Sequence, residues 1–268
     1  GPSILQVSSY WQPGDDLQGL RRQALDLSQR QRHRGPDWSG VYVDAGAILV
    51  HERLAIVDPA GGSQPLLSED ETLALAVNGE IYNHRELKKE LQQDYAFQTG
   101  SDCEVINALY REDQPASFLN RLNGIFAFAL WDKASGRVLI ARDTMGVCPL
   151  YWGHDREGRL RVASEMKSLV DACADVAQFP PGHYYDSASG ELVKYYERPW
   201  RDYDAVAGVE VDKQELREAH GHVLGLRGAG PLRINYSDDN PENGTVDFLG
   251  ADGNVTGNMT FTNIENVI

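Results

Sequence analysis

The chain has 268 residues, of which 41% are hydrophobic, 24% charged and 9% aromatic. This is the composition of a globular protein, and it excludes a mainly disordered, collagen-like or repeat-only chain. The 40 acidic residues outnumber the 25 basic ones and give a formal net charge of −15, which argues against a surface that binds nucleic acid or an anionic membrane. No apolar run approaches the roughly 18 residues of a membrane span, and the first residues do not resemble a signal peptide.

Cysteine and histidine usage bears on compartment and metal binding. The three cysteines, Cys103, Cys148 and Cys173, form no Cys-X-X-Cys pair, so we expect a reduced, cytoplasmic chain. The seven histidines are dispersed, and His220-Gly221-His222 is too flexible a pair to favour a metal over solvent. The sequence therefore predicts no metal site.

The first predicted elements are a helix and two strand regions. Apolar residues from Leu17 to Leu27 recur at i, i+3, i+7 and i+10, which places them on one face of a helix. The apolar, β-branched runs from Gly40 to Leu54 and from Thr72 to Val77 predict strands.

Two further helices are predicted by their start signals. Residues 83–86 and 101–104 both have the spacing of a capping box ahead of an apolar helical face. The runs 138–142 and 160–163 predict strands joined through glycine-containing turns. Since the strands come in groups and do not alternate one-for-one with helices, we predict an α+β fold of antiparallel sheets covered by helices.

The composition changes near residue 220, where the chain becomes rich in Gly, Asn, Thr and Asp. We expect one domain over residues 1–219, a glycine-containing linker over 220–230 and a short β-rich tail over 231–268. In the tail, two short strands flank Asp252-Gly253, a strong hairpin signal. Two strands bury little core alone, so the tail docks on the first domain, belongs to a larger unit or hangs loose.

Several catalytic signatures are missing from the sequence. It contains no GxxxxGK[ST] phosphate loop, no GxGxxG between a strand and a helix and no GxSxG nucleophile elbow. Four other short segments place charged or amide side chains beside glycine or at the ends of predicted elements, where they can point into a cleft. These segments are residues 32–37, 51–58, 78–83 and 99–104.

Three of these segments together offer a site for a zwitterion. Arg53 is a bidentate partner for an α-carboxylate, and Asp102 or Glu80 is a partner for an α-ammonium group. Asn78 with the Gly79 N–H makes a two-donor oxyanion hole for a carbonyl under attack.

Turn chemistry offers a simpler interpretation of the same residue types. Asn78-Gly79 is also a typical hairpin turn, Ser101 a typical helix cap and Arg53 an ordinary surface charge. Residue types alone leave both interpretations open.

Taken together, the segments resemble the glutaminase domain of asparagine synthetase, a class II glutamine amidotransferase of the N-terminal-nucleophile hydrolase fold. The resemblance runs from about Ser3 to Ala219 and is carried by blocks in the right order: RHRGPDWSG, HERLAIVD, LAVNGEIYNH, TGSDCEV, GIFAFALWD, ARDTMGVCPLY and ASEMKSL. Relatives that act on sugar phosphates share the Asn-Gly and Ser-Asp elements. The GEIYNH and ASEMK forms are similar to asparagine synthetase in particular.

The resemblance implies an αββα sandwich in which an N-terminal cysteine thiolate attacks the side-chain amide of L-glutamine. The free α-amine acts as the base, a thioester forms, ammonia leaves and water releases L-glutamate. No cofactor is implied for this domain, because ATP and magnesium would belong to a synthetase domain. The implied partners are that synthetase domain or a second copy of the chain in a homodimer.

Eight positions match substrate-binding residues of that family: Arg53, Leu54, Ile56, Val57, Asn78, Gly79, Glu80 and Asp102. The resemblance implies that Arg53 binds the carboxylate of glutamine and that Glu80 and Asp102 hold its ammonium end. It also implies that Asn78 and Gly79 form the oxyanion hole, and that residues 32–37 shape the pocket.

The sequence departs from the family at its start. The family begins Cys-Ser-Ile-X-Gly, whereas here Pro2 stands at the cysteine position, Gly1 precedes it and Gln6 replaces the glycine. Proline has no nucleophilic side chain and, in second place, no free amine. None of the three cysteines matches the nucleophile position. We therefore expect this version to be inactive, and Gly1-Pro2 to be either natural or a remnant of tag removal.

The sequence also departs from the family after residue 219. Nothing like the Ser-Gly-Gly-Leu-Asp-Ser loop of a synthetase domain follows. The tail is faintly similar to segments of secreted bacterial calcium-repeat and self-splicing proteins, which suggests a fusion. Three functional readings remain: a glutaminase domain with an altered nucleophile, a glutamine-binding module without chemistry, and a scaffold for the tail.

Overall fold

A computed structural model describes residues 16–54 and 64–197 with their side chains, and the backbone of four further strands, Ser3–Val7, Leu232–Tyr236, Gly244–Leu249 and Val255–Phe261. The chain divides into two compact units, residues 1–198 and 199–268. The boundary predicted at residues 219–231 lies outside the described residues and stays a prediction.

The described part of the first unit contains four α-helices and twelve strands. The helices are α1 (Leu17–Gln29), α2 (His84–Glu90), α3 (Val105–Glu112) and α4 (Pro115–Arg121). The strands are β1 (Ser3–Val7), β2 (Trp38–Val43), β3 (Ala47–Arg53), β4 (Leu66–Leu67), β5 (Leu73–Ile81), β6 (Gly124–Asp132), β7 (Arg137–Arg142), β8 (Tyr151–His154), β9 (Leu160–Ala163), β10 (Asp175–Gln178), β11 (His183–Asp186) and β12 (Glu191–Lys194). Short 3-10 helices cover Arg32–Arg34, Asp102–Glu104 and Met166–Ser168.

These strands form two antiparallel sheets that pack face to face. Sheet A has the order β10-β8-β9-β1-β3-β2, and sheet B has the order β12-β11-β7-β6-β5-β4. Small side chains such as Ala76 and Ala129 of sheet B meet Leu49 of sheet A in the core between them. Alternate residues of a strand point to opposite faces, so each sheet has a second apolar face that a helix layer must cover.

Helices cover both outer faces, as the predicted αββα sandwich requires. On sheet A, Ala24 and Leu27 of α1 pack against Ile48 and Val50 of β3. The outer face of sheet B packs against α2, α3 and α4 through a larger apolar cluster. The helix predicted from the apolar face between Leu17 and Leu27 is therefore confirmed. In the described part of the chain, none of the helices has the length and apolar character that crossing a bilayer demands.

The run predicted as strand from Gly40 to Leu54 is interrupted. Asp44 ends β2 because its Oδ1 accepts hydrogen bonds from the backbone N–H groups of Gly46 (2.7 Å) and Ala47 (3.0 Å). Its Oδ2 also accepts from Nε1 of Trp131 at 2.8 Å. A carboxylate that bonds its own backbone two and three residues on makes a tight turn, and β3 then returns antiparallel to β2.

The two predicted capping boxes do not form, although helical turns begin at both places. The Asn83 side chain accepts from the N–H of Asn123 at 3.0 Å and donates to the carbonyl of Arg121 at 2.9 Å instead of capping α2. The Ser101 hydroxyl does cap, accepting from the N–H of Cys103 at 3.3 Å. Glu104, however, accepts hydrogen bonds from the backbone N–H groups of residues 98 and 99, which precede the helical turn, and so does not complete the capping box.

The second unit contains an antiparallel three-stranded sheet in its described residues. Its strands are β13 (Leu232–Tyr236), β14 (Gly244–Leu249) and β15 (Val255–Phe261), in that order. The two predicted tail strands are present and paired, while β13 adds a third that the sequence interpretation missed. Asp252-Gly253 lies outside the described residues.

Candidate active site

The pleats of β3 and β5 bring three predicted site residues to the facing surfaces of the sheets. Leu49 of β3 points into the core between the sheets, and Arg53 lies four residues further on the same face. Ala76 of β5 points into that core from the other side, so Asn78 and Glu80 share its face. Since β3 contacts β5, Arg53, Asn78 and Glu80 lie on facing surfaces near the ends of the two strands.

Arg53 is buried, with 9% of its surface exposed, and the interpretation as an ordinary surface charge is wrong. Its carbonyl accepts a hydrogen bond from the N–H of Asp37 at 3.1 Å. A Cβ on Gly35 would collide with the backbone carbonyl of Glu52, so glycine allows this segment to lie against β3. Residues 32–37 therefore border the end of β3. Leu54 follows with its side chain exposed, and Ile56 and Val57 lie outside the described residues.

Glu52 was missed by the sequence interpretation and anchors the end of β3. Its side chain is 2% exposed and accepts hydrogen bonds from the hydroxyls of Ser28 in α1 (2.5 Å) and Ser39 in β2 (2.6 Å). Buried carboxylates need such donors. The bonds fix β3 to its neighbours one residue before Arg53. The only signal in the sequence was a charged residue on the otherwise apolar helix-facing side of the strand.

Asn78 and Gly79 lie inside β5, opposite Ala127 and Phe126 of β6, so the hairpin-turn interpretation is wrong. Gly79 has φ +152°, and a Cβ there would collide with the carbonyl oxygen of Ile125. Glycine is required because the neighbouring strand approaches its Cα closely. Asn78 is 7% exposed, and no hydrogen-bond partner for its Nδ2 exists among the described residues.

The Gly79 N–H points to the side of β5 away from β6. Even-numbered positions bond toward β6, as shown by Lys133 N to Thr72 O (2.9 Å) and Tyr82 N to Asn123 O (2.8 Å). In an antiparallel strand the next residue directs its N–H and C=O the other way. No acceptor for the Gly79 N–H is found in the described part of the chain. Both predicted oxyanion-hole donors therefore have no acceptor within the described residues.

Asp102 lies beside the end of the same strand. It is 8% exposed, and its Oδ2 accepts the N–H of Ile81 at 2.6 Å. This bond places the Asp102 carboxylate at Ile81, two residues along the strand from Gly79. Glu80, between Gly79 and Ile81, is half-buried. The described site residues thus comprise one buried cation, two carboxylates and two free donors, which is the arrangement that a neutral amide with a zwitterionic end requires.

The first strand reaches the same end of sheet A. In the register of β1 and β3, Ser3 lies opposite His51, two residues before Arg53. Pro2, which stands at the family's nucleophile position, lies outside the described residues. Burial, together with the nearby Arg53 guanidinium, lowers the pKa of His51 well below its usual value. His51 is therefore neutral at pH 7, and Arg53 supplies the positive charge on this face of β3.

None of the three cysteines is poised as a nucleophile. Burial, and then the Asp102 carboxylate, raises the pKa of Cys103 well above its usual value, and its Sγ lies 3.6 Å from the carbonyl oxygen of Gly79. Burial raises the pKa of Cys148 to about 12 and that of Cys173 to about 11. The thiolate is the reactive form of cysteine, so all three side chains are protonated thiols at neutral pH.

We predict that iodoacetamide leaves all three cysteines unmodified in the folded chain at pH 7.5. Alkylation should be at least about 100-fold slower than in urea, because both the thiolate fraction and access are reduced. Intact mass against time measures this, with the urea-denatured chain as the control. Rapid modification of one cysteine in the folded chain would contradict the assignment of inert thiols.

The chain is similar to known proteins both in sequence and in structure. Residues 7–181, more than half of the chain, match the sequence model of the glutamine amidotransferase domain. The chain belongs to this family. This amidotransferase domain is 55% identical over 204 residues to asparagine synthetase B (glutamine-hydrolyzing) of Escherichia coli (strain K12), covering 76% of this chain and 37% of that protein. It is 47% identical over 207 residues to a probable asparagine synthetase (glutamine-hydrolyzing) of Dictyostelium discoideum, with coverages of 76% and 37%.

The amidotransferase domain therefore spans little more than a third of the length of these curated relatives. Among solved structures, it is similar to the glutamine phosphoribosylpyrophosphate amidotransferase of B. subtilis, solved with ADP and GMP, with a TM-score of 0.58, 22% identity and coverage of 73% of this chain and 50% of that chain. An allosteric regulatory enzyme of purine biosynthesis gives a TM-score of 0.51 at 23% identity. At these identities the structures support the fold, and the N-terminal-nucleophile hydrolase architecture expected from the sequence is confirmed.

Proposed function

We propose that this amidotransferase domain binds L-glutamine in the manner of an asparagine-synthetase glutaminase. Arg53 takes the α-carboxylate, Asp102 and Glu80 take the α-ammonium group, and Asn78 with Gly79 takes the side-chain carbonyl. The observation that carries the proposal is the pair of donors without an acceptor, the buried Asn78 Nδ2 and the Gly79 N–H, beside a buried arginine and a buried carboxylate. Unpartnered buried donors are unfavourable, and a substrate carbonyl satisfies both.

Hydrolysis needs a nucleophile beside the oxyanion hole of Asn78 and Gly79, and Pro2 provides none. A glutaminase of this family uses a cysteine thiolate as its nucleophile, and the side chain of a proline has no such group. The cysteines elsewhere in the chain are protonated. We therefore propose that the chain as written binds glutamine and glutamate without turning them over, which makes it a binding module built on a catalytic fold.

The proposal also covers the partner, the cofactors and the cellular compartment. The named relatives are asparagine synthetases that extend well beyond the matched segment. A partner with a synthetase domain would consume the ammonia that an active version releases, and ATP with magnesium would act there. Glutamine binding itself needs no cofactor. The cysteine usage fits a reducing, cytoplasmic setting.

The test measures glutamate release and glutamine binding with the N-terminus verified by intact mass. We expect no release, and calorimetric binding of glutamine that Arg53→Ala weakens by about 30-fold or more, because a buried carboxylate loses its charged partner. Arg111→Ala is the matched control, since Arg111 forms an exposed ion pair with Asp70 and should leave affinity unchanged. Steady glutamate release would show that another residue acts as the nucleophile, and equal affinity of both variants would remove Arg53 from the site.

A further inference from the structure

Side-chain acceptors occupy most of the outward N–H groups along the edge of β5 that faces away from β6. Ser68 Oγ accepts from the N–H of Leu73 at 3.0 Å. Further along, Gln64 Oε1 accepts from Val77 at 2.8 Å, and Asp102 Oδ2 accepts from Ile81 at 2.6 Å. Between Leu73 and Val77, the two residues of β4 supply the backbone partners. An exposed strand edge is normally blocked or covered. Here individual side chains block it by accepting hydrogen bonds from its N–H groups.

Gly79 is the exception in this series. Its N–H lies between those of Val77 and Ile81 on the same edge, and it has no acceptor in the described part of the chain. Its carbonyl, on that same side, is 3.6 Å from the Cys103 sulfur. Among the described residues, the edge from Val77 to Ile81 therefore presents one free N–H donor, that of Gly79, between two occupied ones.

We infer that Gln64 is a positioning residue of the oxyanion hole. The inference rests on the proposed function and adds to it a residue that neither touches substrate nor reacts. The Gln64 side-chain oxygen accepts the N–H of Val77, two residues before Gly79, and so removes it as a competing donor. Of the backbone N–H groups on this stretch of the edge, the Gly79 N–H is then the one left for the substrate, beside the Asn78 side chain.

Gln64 is itself held in place from the other side. A Cβ on Gly40 in β2 would collide with the Gln64 carbonyl oxygen, so the backbone of Gln64 is seated directly on sheet A while its side chain reaches β5. This contact connects both sheets at the hole. Loss of the side chain leaves the Val77 N–H without its acceptor, and the edge must admit water or shift to satisfy it.

Amide NMR on the full chain tests the inference. In the unmodified chain we expect the Gly79 amide to exchange with solvent about 100-fold faster than those of Val77 and Ile81, and to shift downfield when L-glutamine is added. Gln64→Leu should speed exchange at Val77, reduce the Gly79 shift and weaken glutamine affinity by about tenfold. Gln64→Glu keeps an acceptor oxygen and should restore the Gly79 response. Gln64→Ser, too short to reach Val77, gives the same readout if the leucine variant does not fold.

Ser68→Ala is the matched control, because Ser68 also accepts an N–H on this edge but lies at the far end of the strand. It should lower stability and leave the Gly79 shift and the glutamine affinity unchanged. The inference is overturned if Gln64→Leu leaves the Gly79 response intact, or if Ser68→Ala reduces it equally. If the unmodified chain shows the fast exchange at Gly79 but no response to glutamine, the proposed function fails while the geometry of the edge stands.

Discussion

A chain that lacks Gly1 and carries Pro2→Cys is expected to hydrolyse glutamine, whereas the chain as written is not. The change supplies both a thiol and a free α-amine next to the start of β1, where Ser3 lies opposite His51, two residues before Arg53 in β3. The oxyanion hole proposed for the tetrahedral intermediate consists of two donors, the Asn78 Nδ2 and the Gly79 N–H, that have no acceptor among the described residues. Adding Asn78→Ala to this variant should lower kcat by about 10²- to 10³-fold, the usual effect of losing one oxyanion-hole donor.

Glutamate release measures this result, with intact mass confirming that the cysteine is the first residue. The control retains Gly1 before Pro2→Cys, so that the thiol is present but the free amine belongs to another residue, and its rate should be far lower. If the variant with a verified N-terminal cysteine binds glutamine and remains inert, the altered first strand is at fault, with Gln6 in place of the family's glycine. If it does not bind, the pocket assignment itself fails.

Local patterns predicted the elements of this fold well, because burial imposes them directly. The apolar spacing from Leu17 to Leu27 gave α1, and the grouping of strands gave antiparallel sheets. The partners of polar side chains were predicted less well. Asn83 and Glu104 have the spacing of helix caps, yet both bond to segments outside the helix start. Such choices depend on which backbone groups are left unpaired nearby, and single-sequence spacing does not contain that information.

In the candidate site, too, contacts between residues distant in the chain could not be predicted from local sequence. Turn chemistry could not separate a hairpin at Asn78-Gly79 from a strand, since the deciding contact is with Ile125, more than forty residues away in the chain. The family resemblance supplied the residue roles, and the structure brings the described ones together. Glu52 and Gln64 were not predicted as site supports, because nothing in their sequence neighbourhoods indicates that one bonds two distant serines and the other caps an edge N–H.

Gly79→Ala is expected to be the most destabilising single-methyl substitution in the site. It places a Cβ against the Ile125 carbonyl oxygen at φ +152°, a backbone region that is nearly exclusive to glycine. Strain and overpacking together should lower the free energy of unfolding by about 2–5 kcal/mol. Urea denaturation followed by tryptophan fluorescence measures this. Because relief of the collision moves β5 relative to β6, glutamine binding should be lost as well.

Gly158→Ala separates the two causes of this effect. Gly158 also has a positive φ, +76°, but an added Cβ there meets nothing within 4 Å. The control therefore retains backbone strain without the collision, and it should lose only about 1–2 kcal/mol and keep glutamine affinity. Equal destabilisation by the two substitutions would mean that β5 and β6 separate easily at Gly79. In that case the close approach of the strands does not hold the oxyanion hole, and its geometry depends on the side chains of the edge alone.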